Sequence, residues 1–206
     1  MTRFFAALFF FLLPIGAQAA DDKMLYVEYR LAGKQIAADS FDAQTKKVWR
    51  IGLKYLRFED APNPKTNVHG LIIAADPDIW IIDLNINQAQ HTVDPGPIFK
   101  IHFPLFASEA SDKLRELEFG HELEYFNAND ARVLPAQDVD GIRCKVLRLA
   151  IGDREVTLFL KTNDTPLQIT VKSPDYEYAM RFLRYEPDRK PDKLLFQLPP
   201  GVQLKK

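Results

Sequence analysis

Apolar and polar residues alternate with a period of two along most of this chain, and this pattern predicts a protein built mainly of β-strands. In the stretch LYVEYRL at 25–31, the leucines, Val27 and Tyr29 share one face and the charged residues lie on the other. We predict strands at 25–31, 35–40, 47–51, 53–59, 68–74, 79–84, 88–93, 141–149, 155–161, 167–172 and 176–185. Tight turns join the later strands, so they are expected to pair as an antiparallel meander.

One helix interrupts the strands. Residues 108–127 have apolar side chains at helical spacing, with Ser108 as a plausible N-cap and Gly120 as a possible break. A sheet of many strands tends to curl or close, and its concave apolar face then needs a cover. We therefore predict a mainly β (α+β) fold, a strongly curved antiparallel sheet or incomplete β-barrel of about ten strands, covered by one or two helices.

The N-terminus has the pattern of a secretory signal peptide. Arg3 supplies the positive charge, residues 4–13 are continuously apolar, and Ala17-Gln18-Ala19 is an A-x-A cleavage site. The apolar run is too short to span a bilayer, and no cysteine follows it for lipid attachment. We predict a signal peptide at 1–19, a single curved-sheet domain at 20–206, and a location in the periplasm without a membrane span.

The charge of the chain bears on which binding partners it can have, and its cysteine content bears on its core. The chain has 27 Lys and Arg against 28 Asp and Glu, so its charge does not favour nucleic acid or an anionic membrane. Basic and aromatic residues interleave at 46–50 and 181–185. Such a pattern can bind nucleic acid, but an exported chain does not meet cytoplasmic nucleic acid. We therefore interpret these stretches as solvated strand faces with aromatic cross-strand pairs. Cys144 is the only cysteine, and we expect it in the core. A monomer is expected.

No residue pattern indicates catalysis or a metal. His91 and His102 lack the close spacing of metal ligands on one strand or helix, and the chain has neither a G-x-S-x-G motif nor a glycine-rich phosphate loop. We therefore expect no metal, no cofactor and no enzyme. A hydrolase that uses His91 and Asp94 remains an alternative.

The apolar strands at 71–74 and 79–82 exceed what a half-buried sheet needs, and they suit a pocket for a lipid or acyl chain. An ordinary filled core is the other interpretation. Alternation selects the candidate lining residues, all of which depend on the strand register. They are Val27, Tyr29, Ile73, Trp80, Ile82, Leu158, Ile169, Met180 and Phe182.

A different hypothesis makes the chain an interaction subunit of an envelope pathway. The proline-rich segment Asp94–Phe106 would be its docking loop, with an exposed apolar patch. The candidate docking residues are Ile98, Phe99, Phe103 and Phe106.

Several motifs together resemble the periplasmic lipoprotein-carrier superfamily, the LolA/LolB-like proteins with RseB as a relative. They are the leader, KVWR at 47–50, DIW at 78–80, the mid-chain helix, TLFL at 157–160, TPL at 165–167 and the ending PDKLLFQLPPGV at 191–202. The resemblance implies an incomplete β-barrel closed by helices, with an interior for acyl chains and a role in lipoprotein or envelope lipid trafficking. The carriers begin with a helix, whereas this chain begins with the strand at Leu25.

Overall fold

One open, strongly curved sheet of twelve strands dominates the structure, a computed structural model that describes residues 23–106 and 112–205. The predicted signal peptide and the predicted N-cap Ser108 lie outside these residues. The strands are β1 (Met24–Gly33), β2 (Lys46–Ile51), β3 (Tyr55–Glu59), β4 (Gly70–Ala75), β5 (Asp78–Asp83), β6 (Gln88–Val93), β7 (Arg132–Val139), β8 (Ile142–Ile151), β9 (Arg154–Leu160), β10 (Pro166–Lys172), β11 (Glu177–Arg189) and β12 (Gln203–Leu204). The helices in the described part are α1 (Asp112–Arg115) and α2 (Glu122–Ala128), with 3-10 turns at Phe41–Ala43 and Lys193–Phe196.

The strand order is β12-β6-β5-β4-β3-β2-β1-β11-β10-β9-β8-β7. Two antiparallel meanders, β1–β6 and β7–β11, meet where β1 pairs with β11. The two-residue β12 is parallel to β6. The predicted fold class is confirmed, with twelve strands instead of about ten.

Both faces of the sheet carry buried apolar clusters. We call the face that α1 and α2 cover the inner face, and the opposite one the outer face. In β1 the inner face carries Leu25, Val27 and Tyr29, as the alternation predicts, whereas Met24 and Tyr26 lie on the outer face. The C-terminal segment 193–202 folds back over the outer face and inserts Phe196 into the cluster there.

Three elements differ from the prediction. Residues 35–40 form a turn instead of a strand, and a 3-10 helix follows it. The edge strand β7 was not predicted, because Pro135 interrupts its alternation at an irregular register between Leu134 and Gln137. The helix predicted at 108–127 is two short helices in the described residues, because the backbone at Gly120 takes a φ of +89°.

Candidate functional site

The segment from Ile98 to Ala128, in its described parts, forms a plug on the inner face. Its two described parts, 98–106 and 112–128, are joined by an antiparallel bridge between Pro104 and Glu118 and by a hydrogen bond of 2.8 Å from the Leu105 N–H to the Leu117 carbonyl. The hydroxyl of Tyr125 in α2 donates to the carbonyl of Lys113 in α1 at 2.7 Å. These bonds make the plug one connected unit.

The plug touches the sheet from β3 to β8. Phe103 contacts Phe58 of β3, Phe106 contacts Tyr178 of β11, and α2 lies against β8 and β9. These positions span seven neighbouring strands of the strongly curved sheet. The loop of the plug reaches β3 and β11, and its second helix reaches β8 and β9.

Aromatic and aliphatic side chains line the contact. The Phe119 ring of the plug lies 5.1 Å from the ring of Tyr29 and 5.6 Å from that of Phe103. The sheet contributes Val156, Leu158, Leu160, Ile169, Val171, Met180 and Phe182 to the same buried cluster. The inner face is thus an apolar surface shared between the plug and the sheet.

A buried ion pair joins the plug to β2. Arg50 is 3% exposed, and its Nη2 lies 2.5 Å from the Oε2 of Glu118. The same guanidinium donates from Nη1 to the Phe119 carbonyl at 3.1 Å and from Nε to the Gly52 carbonyl at 2.9 Å. The other oxygen of Glu118 contacts the Nδ1 of His102. Arg50 therefore binds the plug through both a side chain and the backbone.

A second polar contact joins α2 to β11. Glu122 is 1% exposed, and its Oε2 accepts hydrogen bonds from the Tyr185 hydroxyl at 2.6 Å and from the Gly120 N–H at 3.1 Å. Among the described residues, its Oε1 has no hydrogen-bond partner. Burial raises the pKa of Glu122 to about 7, and burial next to this carboxyl also raises the pKa of Tyr185.

The structure brings six of the nine predicted lining residues together. Val27, Tyr29, Leu158, Ile169, Met180 and Phe182 all belong to the inner-face cluster. Ile73, Trp80 and Ile82 lie instead on the outer face, beneath the C-terminal segment. Strands β4 and β5 are apolar on both faces, so their alternation does not indicate which side faces the plug.

The predicted docking patch is mostly turned inward. Phe99 and Phe103 pack against the inner-face cluster, and Phe106 is buried in it. Ile98 alone of the four predicted residues is exposed, at 79%. The expectation that all four are exposed is wrong, because the aromatic residues fill the space between the plug and the curved sheet. A docking role of the segment remains a prediction.

The residues of the alternative hydrolase do not pair with each other in the structure. The Nε2 of His91 lies 2.7 Å from the Oδ1 of Asp78, and its ring stacks on Trp80 at 5.3 Å. Asp94 accepts a hydrogen bond from the Gly96 N–H in its own turn. Within residues 23–106 and 112–205, no group of three His, Cys, Asp or Glu side chains is placed to hold a metal ion.

Cys144 is buried, as predicted, and its thiol lies 3.3 Å from the Ile142 carbonyl on the outer face of β8. Burial raises the pKa of this thiol, and nearby Asp138 adds to the rise. In the part of the chain that the structure describes, no helix has the length and apolar composition needed to cross a membrane.

The sequence interpretation missed Arg50 and Glu122, although both carry a signal. Arg50 has the same strand phase as Val48 and lies opposite Leu25 and Leu56, which are inner-face residues. Glu122 precedes Phe126 by four residues in α2, so the two side chains lie on the same side of the helix. Both are charged residues on the same face of a strand or helix as buried apolar residues, and this pattern could have identified them.

No model of a known protein family matches the chain, and no curated protein matches it. Several solved structures resemble it. An uncharacterized conserved protein from Thermus thermophilus is 10% identical, with 91% of this chain and 93% of that chain covered and a TM-score of 0.49. LprF from Mycobacterium bovis is 8% identical, with 83% and 89% covered and a TM-score of 0.46. The lipoprotein LppX from Mycobacterium tuberculosis is 9% identical, with 82% and 90% covered and a TM-score of 0.40.

Proposed function

We propose that this chain is an exported, non-enzymatic carrier that holds an acyl chain or another apolar ligand on the inner face of the sheet, beneath the plug. The observation that carries the proposal is the plug itself. Two short helices and a proline-containing loop cover a buried apolar cluster to which eight strands contribute. The plug and the sheet are separate elements, so an apolar ligand can enter between them without breaking the strand ladders.

The polar contacts of the plug support this function. Arg50–Glu118 and Glu122–Tyr185 are discrete contacts at two points, whereas the remaining contact with the sheet is largely apolar. Apolar contacts are non-directional, and a ligand of similar chemistry can replace them. The arrangement therefore suits exchange between plug side chains and a lipid chain.

The test is the binding of N-phenyl-1-naphthylamine, an uncharged apolar dye that fluoresces when it leaves water, to the delipidated chain. We expect a dissociation constant of about micromolar. Leu158→Phe, which fills the inner face, should weaken binding about ten-fold, whereas Val133→Phe at an exposed position of β7 should leave it unchanged. Circular dichroism and thermal melts verify that both variants fold. Absence of dye binding to the wild-type chain would overturn the proposal.

Export and monomeric state are parts of the same proposal. Expression with residues 1–19 present should place the chain in the periplasm, with a mature N-terminus at Ala20 or Asp21. Native mass spectrometry of the protein from that compartment should show a monomer with bound lipid. A chain that arrives without lipid, and that also fails to bind the dye, contradicts a role in envelope lipid trafficking.

A further inference from the structure

Glu122 is an unusual residue for the inner face because it places a carboxyl group among aromatic and aliphatic side chains. One of its oxygens is used fully by Tyr185 and Gly120. The other, Oε1, is buried and lacks a partner among the described residues. Buried polar atoms are nearly always hydrogen-bonded, so an unpaired oxygen at this depth calls for an explanation.

The groups around Glu122 do not neutralise it. Tyr185 from β11, the Gly120 N–H from the plug and the backbone N–H of Glu122 itself are uncharged donors, and Glu124 on the same helix is a further negative charge. The guanidinium of Arg50 is engaged by Glu118 and by the carbonyls of Phe119 and Gly52. Glu122 is therefore a carboxyl without a counter-ion, which disfavours a second negative charge beside it.

The free oxygen can both accept and donate a hydrogen bond, depending on protonation. An ionised Oε1 needs a donor, whereas a protonated Oε1 needs an acceptor. A hydroxyl group satisfies both states, and a carboxylate ligand satisfies only the protonated one. The neighbouring wall is apolar, since the ring of Phe182 lies edge-on to that of Tyr185 at 5.5 Å and supports it. This wall suits the alkyl part of a ligand.

We propose that Glu122 is the head-group contact of the inner-face site and that it selects a long-chain ligand ending in an uncharged hydroxyl over a fatty-acid anion. The inference rests on the proposed function, because the ligand lies beneath the plug. The hydrogen bonds from Tyr185 and Gly120 hold Oε2 in place, so that Oε1 is left for the ligand.

The experiment compares two probes of equal chain length, 1-dodecanol and dodecanoate, as competitors of N-phenyl-1-naphthylamine on the delipidated chain at about pH 8. We expect dodecanol to displace the dye at a concentration about ten-fold lower than dodecanoate does. Glu122→Gln keeps a donor and an acceptor but loses the charge, so it should bring the two probes within about three-fold. Glu116→Gln, at an exposed position of the plug, is the matched control and should keep the wild-type preference.

A second variant separates the hydrogen bond from the charge. Glu122→Leu should still bind the dye and should lose the preference for dodecanol, because the carboxyl that meets the hydroxyl is gone and the Tyr185 hydroxyl and Gly120 N–H are left as donors that favour an anion. If wild type and Glu122→Leu bind the dye and show the same ratio between the probes, the inference is overturned and the carrier function stands. If the wild-type chain does not bind the dye at all, the carrier function itself fails, and the inference fails with it.

Discussion

Arg50 and Glu118 form a buried ion pair between β2 and the plug, with 2.5 Å between the Nη2 and Oε2 atoms. The pair is strengthened because Arg50 also donates to the backbone of the plug at Phe119. A buried pair adds little stability over a well-packed apolar pair, but loss of one partner leaves the other charge uncompensated. We therefore expect the pair to fix the position of the plug on the sheet and to add little to the net stability of the chain.

Arg50→Met removes one partner of this pair. The free energy of unfolding should fall by about 3 kcal/mol, since Glu118 is left largely buried without its guanidinium. Urea denaturation near neutral pH measures the loss. Arg143→Met is the control, because Arg143 and Asp138 form an exposed pair, whose loss should cost less than about 1 kcal/mol. Equal losses in the two variants would contradict the anchoring role of Arg50.

Gly120→Ala tests the turn between the two helices. The backbone there has a φ of +89°, and a Cβ would lie 2.9 Å from the Cδ2 of Leu25 in β1. Gly152→Ala is a suitable comparison, because its φ is +63° and a Cβ would meet nothing within 4 Å. Both variants suffer backbone strain, and we expect Gly120→Ala to lose at least about 1 kcal/mol more in urea denaturation. A smaller loss at Gly120 than at Gly152 would show that the turn adapts.

The sequence predicted the fold well where one face of a strand is polar. In β1 the charged residues Glu28 and Arg30 mark the solvent side, so the inner-face positions Leu25, Val27 and Tyr29 follow directly. Strands such as β9 and β10, with the same kind of alternation, give the same result. Alternation of this type indicates which residues are buried, because successive side chains of a strand point to opposite faces of the sheet.

Other features need information that alternation does not contain. The apolar residues Ile73 and Trp80 belong to strands that are apolar on both faces, so their side depends on where the C-terminal segment packs. Glu122 and Arg50 are buried through partners distant in sequence, namely Tyr185 and the plug backbone. The polar contacts of the plug were therefore missed, whereas six of the nine candidate lining residues lie in the inner-face cluster, and their role in binding stays a prediction.

Phe196→Ala tests whether the C-terminal segment is part of the outer-face core. Phe196 is 2% exposed and its ring lies 5.6 Å from that of Tyr55, so its truncation should lower the free energy of unfolding by about 3–4 kcal/mol. Leu194 in the same 3-10 helix is 72% exposed, and Leu194→Ala should change stability by no more than about 0.5 kcal/mol. Thermal and urea unfolding measure both variants. Similarly small losses of unfolding free energy in both variants would mean that the segment is not part of the outer-face core.

Glu122 should make the stability of the chain depend on pH. Burial raises its pKa from 4.5 to about 7, so the folded state binds a proton that the unfolded state has released between these values. Its contribution to the free energy of unfolding is fully present below about pH 4.5, falls as the pH rises through about 7, and is then lost, with a total on the order of 3 kcal/mol.

Glu122→Gln removes this titration but keeps the size of the side chain. The variant should match the wild type in acid and exceed its stability above about pH 7. Asp60, whose pKa burial also raises, titrates in both proteins and cancels in the difference. Urea denaturation of both proteins between about pH 4 and 8 measures the difference in their free energies of unfolding. A difference that does not change with pH would contradict a raised pKa at Glu122.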